Sequence, residues 1–278
     1  MNTLERNLRA FTGQSQGFSR NGETYADAEG LAWMLKDLPG SPDAEALDIA
    51  TGTGEFARAL ATHVAKVTGL DATDAMLEQG KKFIEQAGIE NVIFQKGIVQ
   101  ELPFEDETFD IVSSRYAFHH FADPKPVISE MARVCKTGGH VIIVDIVVPD
   151  ASTAAEYQYY EWLCDPSHTR CLESEEFQTY FRLFGLEVVS ARTRVLAEEL
   201  IEWMDFSLTE KERREEILRA VRAELDGGAK TGLSPREEDS VLFFQQIDLS
   251  IVGRKPYVST RPDATRTERV LAQGRRRG

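Results

Sequence analysis

In the first half of the chain, short apolar runs alternate with stretches of helical periodicity. Residues 46–50, 64–70, 92–95, 109–114 and 140–148 read as strands. Between them, residues 55–63, 75–87 and 124–135 place apolar positions on one helical face. Gly88 is placed to end the second of these helices, and Gly138-Gly139 to break the chain before the fifth strand. That fifth run is apolar at nearly every position, as expected of a central strand covered on both sides. Strands alternating with helices in this way predict a parallel sheet between two helical layers.

The second half is less regular. Residues 154–163 form a helical stretch rich in aromatics, Tyr157, Tyr159, Tyr160 and Trp162. A loop containing Asp165-Pro-Ser-His168 follows. Ser174 is placed to cap a helix over 175–184 that Gly185 ends. A strand over 187–194 leads to helices over 197–204 and 210–225. The second of these opens on Thr209-Glu-Lys-Glu212, a capping-box pattern, and Gly227-Gly228 breaks it. Residues 241–252 alternate as a final strand. At the start, residues 1–30 read as a polar arm with Phe11, Phe18 and Tyr25, able to order over a site. A helix over 26–38 follows and is stopped by Pro39-Gly40-Ser41-Pro42.

Composition narrows the class. With 42% hydrophobic and 28% charged residues the chain is that of an ordinary globular protein. No run approaches 18 apolar residues, and no basic stretch followed by an apolar run opens the chain, so neither a membrane span nor a leader is expected. Cys135, Cys164 and Cys171 are an odd, sparse set that points to free thiols in a reducing, cytoplasmic setting. The net charge of −14 is uneven, because the basic tail after Arg254 leaves about −20 on the rest. An acidic body argues against a nucleic-acid partner.

The candidate chemistry starts at Asp48-Ile-Ala-Thr-Gly-Thr-Gly54. A strand runs into a glycine turn and then a helix. Gly52 and Gly54 permit a tight turn and a close ligand approach, and the helix start offers unpaired N–H groups. Asp71 ends the second strand, where a carboxylate reaches both hydroxyls of a ribose. Dinucleotide enzymes share this logic, so an NAD-dependent oxidoreductase remains an alternative. Phe56 and Ala57 stand where a third glycine would seat a pyrophosphate, which disfavours it. Asp48 stands where it can order groups near an amino-acid ammonium.

The run Leu47-Asp-Ile-Ala-Thr-Gly-Thr-Gly54 resembles motif I of the class I S-adenosylmethionine (SAM)-dependent methyltransferases. Gly69-Leu-Asp71-Ala-Thr-Asp-Ala-Met76 resembles their ribose-binding turn, and Gly97-Ile-Val-Gln-Glu-Leu-Pro-Phe104 their adenine-side loop. The family usually carries an acid where Ile98 stands, which leaves a Val99 N–H to serve the ring. The stretch from Phe109 to Pro124, with Arg115-Tyr-Ala-Phe-His-His-Phe121, is similar to the branch that contains the ubiquinone- and menaquinone-biosynthesis methyltransferases. The resemblance covers residues 46–148, about a third of the chain.

It implies an α/β, Rossmann-like, doubly wound, mainly parallel seven-stranded sheet with an antiparallel last strand, a helical N-terminal arm and a helical insertion before that strand. Residues 1–40 would form a cap, 41–255 the catalytic domain, with 151–184 and 197–238 as substrate-side or lid helices, and 256–278 a basic tail. SAM would be the cofactor. Asp48, Ala50, Thr51, Gly52, Gly54, Asp71, Ala72, Met76, Gly97, Ile98, Val99, Arg115, Tyr116 and His120 would hold it.

Methyl transfer is an in-line displacement, and a base helps where the acceptor loses a proton. His119, His120 and His168 are the candidates, each with a structural role as the alternative. Phe18, Tyr25, Phe118, His119, Tyr157, Tyr160, His168 and Arg170 are candidate contacts to an aromatic or apolar small-molecule acceptor. Cys164, His168 and Cys171 offer three soft ligands but no paired knuckle, and no metal is expected. A homodimer, a non-methylating SAM-binding enzyme and a catalytically silent module built on 197–238 remain open.

Overall fold

The computed structural model describes residues 2–15 and 28–257. Phe18, Tyr25 and most of the basic tail lie outside them. Five parallel strands form the first part of the sheet: β1 (Ser41–Ile49), β2 (Val64–Asp71), β3 (Val92–Lys96), β4 (Phe109–Arg115) and β5 (Cys135–Val147). Then come β6 (Glu187–Glu199), β7 (Arg236–Glu238) and β8 (Val241–Arg254). The order across the sheet is β3-β2-β1-β4-β5-β8-β6, with β7 paired to the start of β8. β8 runs antiparallel between β5 and β6. This is the expected sheet with one addition, the short β7.

The helices are α1 (Thr3–Gln14), α2 (Ala28–Leu35), α3 (Glu55–Leu60), α4 (Asp74–Ala87), α5 (Pro124–Val134), α6 (Ala154–Cys164), α7 (Ser174–Leu183), α8 (Leu200–Phe206) and α9 (Lys211–Leu225). The strand period of two sorts the core into layers. Leu47, Ile49, Val141 and Ile143 face Met131, Phe177 and Phe181 of α5 and α7. Ala46, Ile142 and Val144 face the other way, onto Met34, Phe56 and Leu60 of α2 and α3. Both parities of β5 are therefore buried, which explains its unbroken apolar run. Each large aliphatic or aromatic side chain so buried contributes about 1.5–3 kcal/mol. A third cluster packs α6, α8 and α9 around Phe244 and Ile146 at the far end of β5 and β8.

Several local expectations are corrected. β6 continues to Glu199, because residues 195–199 pair with β8, so α8 starts three residues later than expected. β5 starts at Cys135 and runs through Gly138, whose φ of +83° accommodates the bend. α7 is capped by Glu173, whose N–H donates to Glu176 at 3.1 Å, rather than by Ser174. α9 begins after Glu210, and the Thr209 hydroxyl instead donates to the Cys164 carbonyl, 2.9 Å away. The polar arm contains a regular helix, α1, closed at its start by Asn2 and Glu5 bonding reciprocally at 2.9 and 3.0 Å.

Candidate active site

The C-terminal ends of β1, β2, β4 and β5 open onto one cavity of about 460 Å3, within the usual range for small-molecule sites. On its first side lies the glycine turn. Asp48 is buried at the end of β1. Its carboxylate accepts hydrogen bonds from Thr51 Oγ1 (2.5 Å) and Ser113 Oγ (2.6 Å). Burial pushes its pKa up to about 6 despite these bonds. The turn itself departs from ordinary backbone: Ala50, Gly52 and Gly54 all have positive φ. Ala50 in this region is strained, a feature that collects at binding sites.

The two glycines do different work. A Cβ on Gly52 would meet nothing within 4 Å, so this position leaves open space in front of the turn. A Cβ on Gly54 would stand 2.4 Å from Phe94 Cζ, so Gly54 is needed for packing under the turn. The Gly52 N–H donates to Asp71 Oδ2 at 2.8 Å, and Thr73 N–H to the other Asp71 oxygen at 2.8 Å. Burial raises the Asp71 pKa, while these N–H bonds hold the carboxylate in place at the cavity wall. Ala72, Met76, Ile98 and Val99 continue the same wall. Gly97 lies behind it, packed so closely on Leu70 that a Cβ would come within 2.7 Å of Cδ1. Arg115 ends β4 and pairs with Glu55 at the start of α3. Tyr116 follows at φ +50°, its hydroxyl donating to Asp248 at 2.6 Å.

On the second side the chain gathers three histidines. His119 Nδ1 lies 2.6 Å from Asp145 Oδ1. Asp145 is buried near the end of β5 and also accepts the N–H groups of Ala117, Phe118 and Ile146. All four of these partners are donors, so His119 carries its proton on Nδ1 and the neutral ring leaves Nε2 bare. Burial opposes the imidazolium, but the Asp145 charge and hydrogen bond outweigh it, and the His119 pKa is raised. His120 is pushed down to about 4, by burial and then by the charge of His119. Its Nδ1 meets Ser167 Oγ at 3.1 Å and its ring meets Phe11 edge-on.

His168 is 3% exposed and stacks against His119 with ring centroids 5.6 Å apart. Gln158 is locked by two bonds to the Cys171 backbone, which make its Oε1 an acceptor. His168 Nε2 therefore donates to Gln158, at 3.0 Å, and its Nδ1 is bare. Burial, then the charges of His119 and His120, push the His168 pKa down to about 2. The 165–170 loop is fixed to this group because Thr169 and Arg170 both donate N–H bonds to the His119 carbonyl. Over the cavity, α1 turns one face inward, with Leu4, Asn7, Leu8, Phe11 and Gln14 on it. Asn7 is tied to the His120 carbonyl at 3.0 Å.

Of the candidate residues, Asp48, Ala50, Thr51, Gly52, Asp71, Ala72, Met76, Ile98, Val99, Arg115, Tyr116, His119, His120 and His168 share this cavity. Others do not reach its wall. Phe118 and Tyr157 are core residues at 1% and 0% exposure, Tyr160 packs beside the α6–α9 cluster, and Arg170 pairs outward with Glu176. The Cys164 thiol meets Thr209, and His168 meets Gln158, so these two go to separate partners. Sequence reasoning missed Asp145, Glu161, Gln246 and the inner face of α1. Asp145 had a signal, an acid inside an otherwise apolar strand.

A sheet whose strand ends carry a glycine turn and, one strand on, an acid, both facing one cavity, is the arrangement of an enzyme that binds a nucleoside cofactor. Residues 47–143 match the methyltransferase domain family. The chain is 34% identical over 208 residues to a Bacillus subtilis (strain 168) protein described as "Uncharacterized methyltransferase YcgJ", spanning 72% of this chain and 82% of that one. The crystal structure of YcgJ superposes with a TM-score of 0.76 at 28% identity, covering 84% of this chain and 100% of that one. A demethylmenaquinone methyltransferase of Bacillus cereus (strain B4264) is 32% identical over 187 residues, 58% of this chain and 78% of the relative. The chain belongs to the class I SAM-dependent methyltransferases, and SAM is its cofactor. The open space before Gly52 and the Asp71 carboxylate beside it fit that molecule. No helix among the described residues is long and apolar enough to cross a membrane.

Proposed function

We propose that this methyltransferase acts on a small, largely apolar molecule held between the cofactor turn and the histidine cluster, with His119 as the base. The observation that carries this reading is His119, held 2.6 Å from the buried Asp145 and set in the wall of the same cavity as Gly52 and Asp71. Bound SAM supplies an electrophilic methyl group on a sulfonium. The chain's residues do the rest. Gly52 and Asp71 seat the cofactor, and Leu8, Phe11, Phe121 and Trp203 surround an apolar acceptor and keep water away. When an acceptor took that methyl group in exchange for a proton, with S-adenosylhomocysteine leaving, the proton would pass to His119 Nε2. Asp145 holds the ring and stabilises the imidazolium that forms. In this reading α1 serves as the cover.

The test uses SAM labelled in its methyl group and a protein-free metabolite extract. Label is expected in the small-molecule fraction. Substituting His119→Ala is expected to lower that transfer about 100-fold or more while leaving affinity for S-adenosylhomocysteine within about twofold. Label found only in protein or nucleic acid, or full transfer by the variant, overturns the proposal.

A further inference from the structure

One buried acid in the cavity has no part in the chemistry above. Glu161, on α6, is 4% exposed and belongs to the cavity wall. Its Oε1 is buried without a hydrogen bond of ordinary geometry, and so is the nearby Tyr157 hydroxyl. Gln246, from β8, completes this corner of the wall. The Tyr157 hydroxyl and the Gln246 side chain are its nearest donors, neither in ordinary geometry. A buried carboxylate with poorly placed donors is costly, and a ligand that brings a well-placed one recovers that cost.

The charge of the cavity points the same way. Asp48, Glu55, Asp71, Asp123, Glu161 and Asp165 line it, and among the described residues the one Arg or Lys side chain in the wall is Arg115, already paired with Glu55. A cationic sulfonium suits such a wall. An anionic acceptor suits it less, since it would be desolvated beside several carboxylates with no free Lys or Arg among the described residues to meet it. An apolar acceptor with no polar group would leave Glu161 unsatisfied.

We propose that Glu161 anchors the methyl acceptor by accepting a hydrogen bond from a hydroxyl on it, and that the site selects neutral hydroxylated acceptors over anionic ones. This rests on the reading of the cavity as the acceptor site, and goes beyond it by assigning the recognition group. Burial, opposed by its Tyr157 and His119 neighbours, raises the Glu161 pKa. A hydroxyl donor satisfies the ionised form directly. Glu161 is a specificity residue in this scheme, on a different wall element from the His119–Asp145 pair.

Three probes that share one ring system test it: 2-naphthol, 2-methoxynaphthalene and 2-naphthoate, titrated against the full chain saturated with S-adenosylhomocysteine and followed by ligand-observed NMR. The naphthol is expected to bind about tenfold or more tightly than either of the others, the discrimination one hydrogen bond to a charged group provides. Glu161→Leu is expected to shrink the gap between naphthol and methoxynaphthalene to less than about threefold, while Glu161→Gln, which keeps a neutral acceptor, reduces it only in part. Both variants should leave affinity for S-adenosylhomocysteine unchanged. Glu161→Gln should also relieve the exclusion of naphthoate. Equal or absent binding of all three probes, or a full preference that survives in Glu161→Leu, overturns the assignment. Because no turnover is involved, these outcomes are read separately from the label-transfer test of the base.

Discussion

Replacing Asp145 by Asn tests the histidine pair without needing the acceptor. Four donors now converge on the Asp145 carboxylate: the His119 ring and the backbone N–H groups of Ala117, Phe118 and Ile146. An asparagine can turn its carbonyl toward the Ala117 and Phe118 amides, and its NH2 then faces His119 Nδ1. That arrangement requires Nδ1 to accept, which moves the ring proton to Nε2 and blocks the bare nitrogen the base needs. The charge is lost as well. A unit charge about 4 Å away is worth about 4 kcal/mol at an effective dielectric of about 20, or about three pKa units. The His119 pKa, now raised by the Asp145 charge, is therefore expected to fall, leaving burial to dominate. Ring 1H–13C NMR titration reads this directly, with His119→Asn assigning the resonance among the five histidines. Because the folded pKa of His119 lies above its unfolded value, the pair's stabilisation is complete below ~6.5 and fades as pH rises through the folded value. The stability deficit of Asp145→Asn should thus be larger at acid than at alkaline pH. A downward pKa change of less than about half a unit, or an unchanged ring tautomer, refutes the role given to Asp145.

Three further outcomes follow from the same geometry. Asp71→Ala should weaken S-adenosylhomocysteine binding by about 1.5–3 kcal/mol, seen by calorimetry; unchanged affinity would show that the ribose does not sit at the end of β2. Gly54→Ala forces a side chain into φ +77° and onto Phe94, and should cost about 2–5 kcal/mol of stability. Gly52→Ala, at φ +55° with open space before it, should cost only about 1–2 kcal/mol but lose cofactor affinity; equal melting temperatures for the two variants contradict the division of roles. His168, neutral in the fold with its pKa near 2, stabilises the fold above its unfolded pKa of ~6.5, and that stability is lost as pH falls below it. His168→Asn should therefore lessen the acid sensitivity of urea unfolding by up to ~1.4 kcal/mol per pH unit, and an identical slope counts against a buried neutral ring.

The parallel half of the fold was legible because burial on two faces writes itself locally. β1, β2, β4 and β5 each combine a short apolar run with a helix of 3.6 period behind it, and the structure differs there by one residue at the C-terminal ends but starts β1 and β5 five residues earlier. The far edge was harder. β6 exposes alternate positions along its whole length, so residues 195–199 look like the beginning of a helix until β8 is there to pair with them. That pairing spans about fifty residues of sequence and leaves no local trace. α1 is the opposite case, since Asn2, Glu5 and the Leu4–Leu8–Phe11 spacing do mark a capped helix with a narrow apolar face. Its low overall hydrophobicity hid it among the polar residues of the arm.

The two sides of the cavity differ in legibility for a related reason. The cofactor side is made of main-chain turns within a few consecutive residues, so glycine positions and one acid are enough to mark it. The histidine side is a set of side chains from α1, the turn after β4, β5, α6, the 165–170 loop and β8. Nothing local distinguishes His119 from His120 or His168 as residue types. Their surroundings do. Asp145 favours the charged state of His119, while burial and the neighbouring charge keep the other two neutral. Three identical rings in contact thus acquire different proton affinities, the separation of roles that proton-transfer sites use. That difference depends on a β5 carboxylate 26 residues from His119 in sequence but 2.6 Å away in space. If one histidine acts as the base, the geometry therefore selects His119, the ring with the highest proton affinity, whose Nδ1–H is fixed by a carboxylate and whose Nε2 is bare in the neutral form.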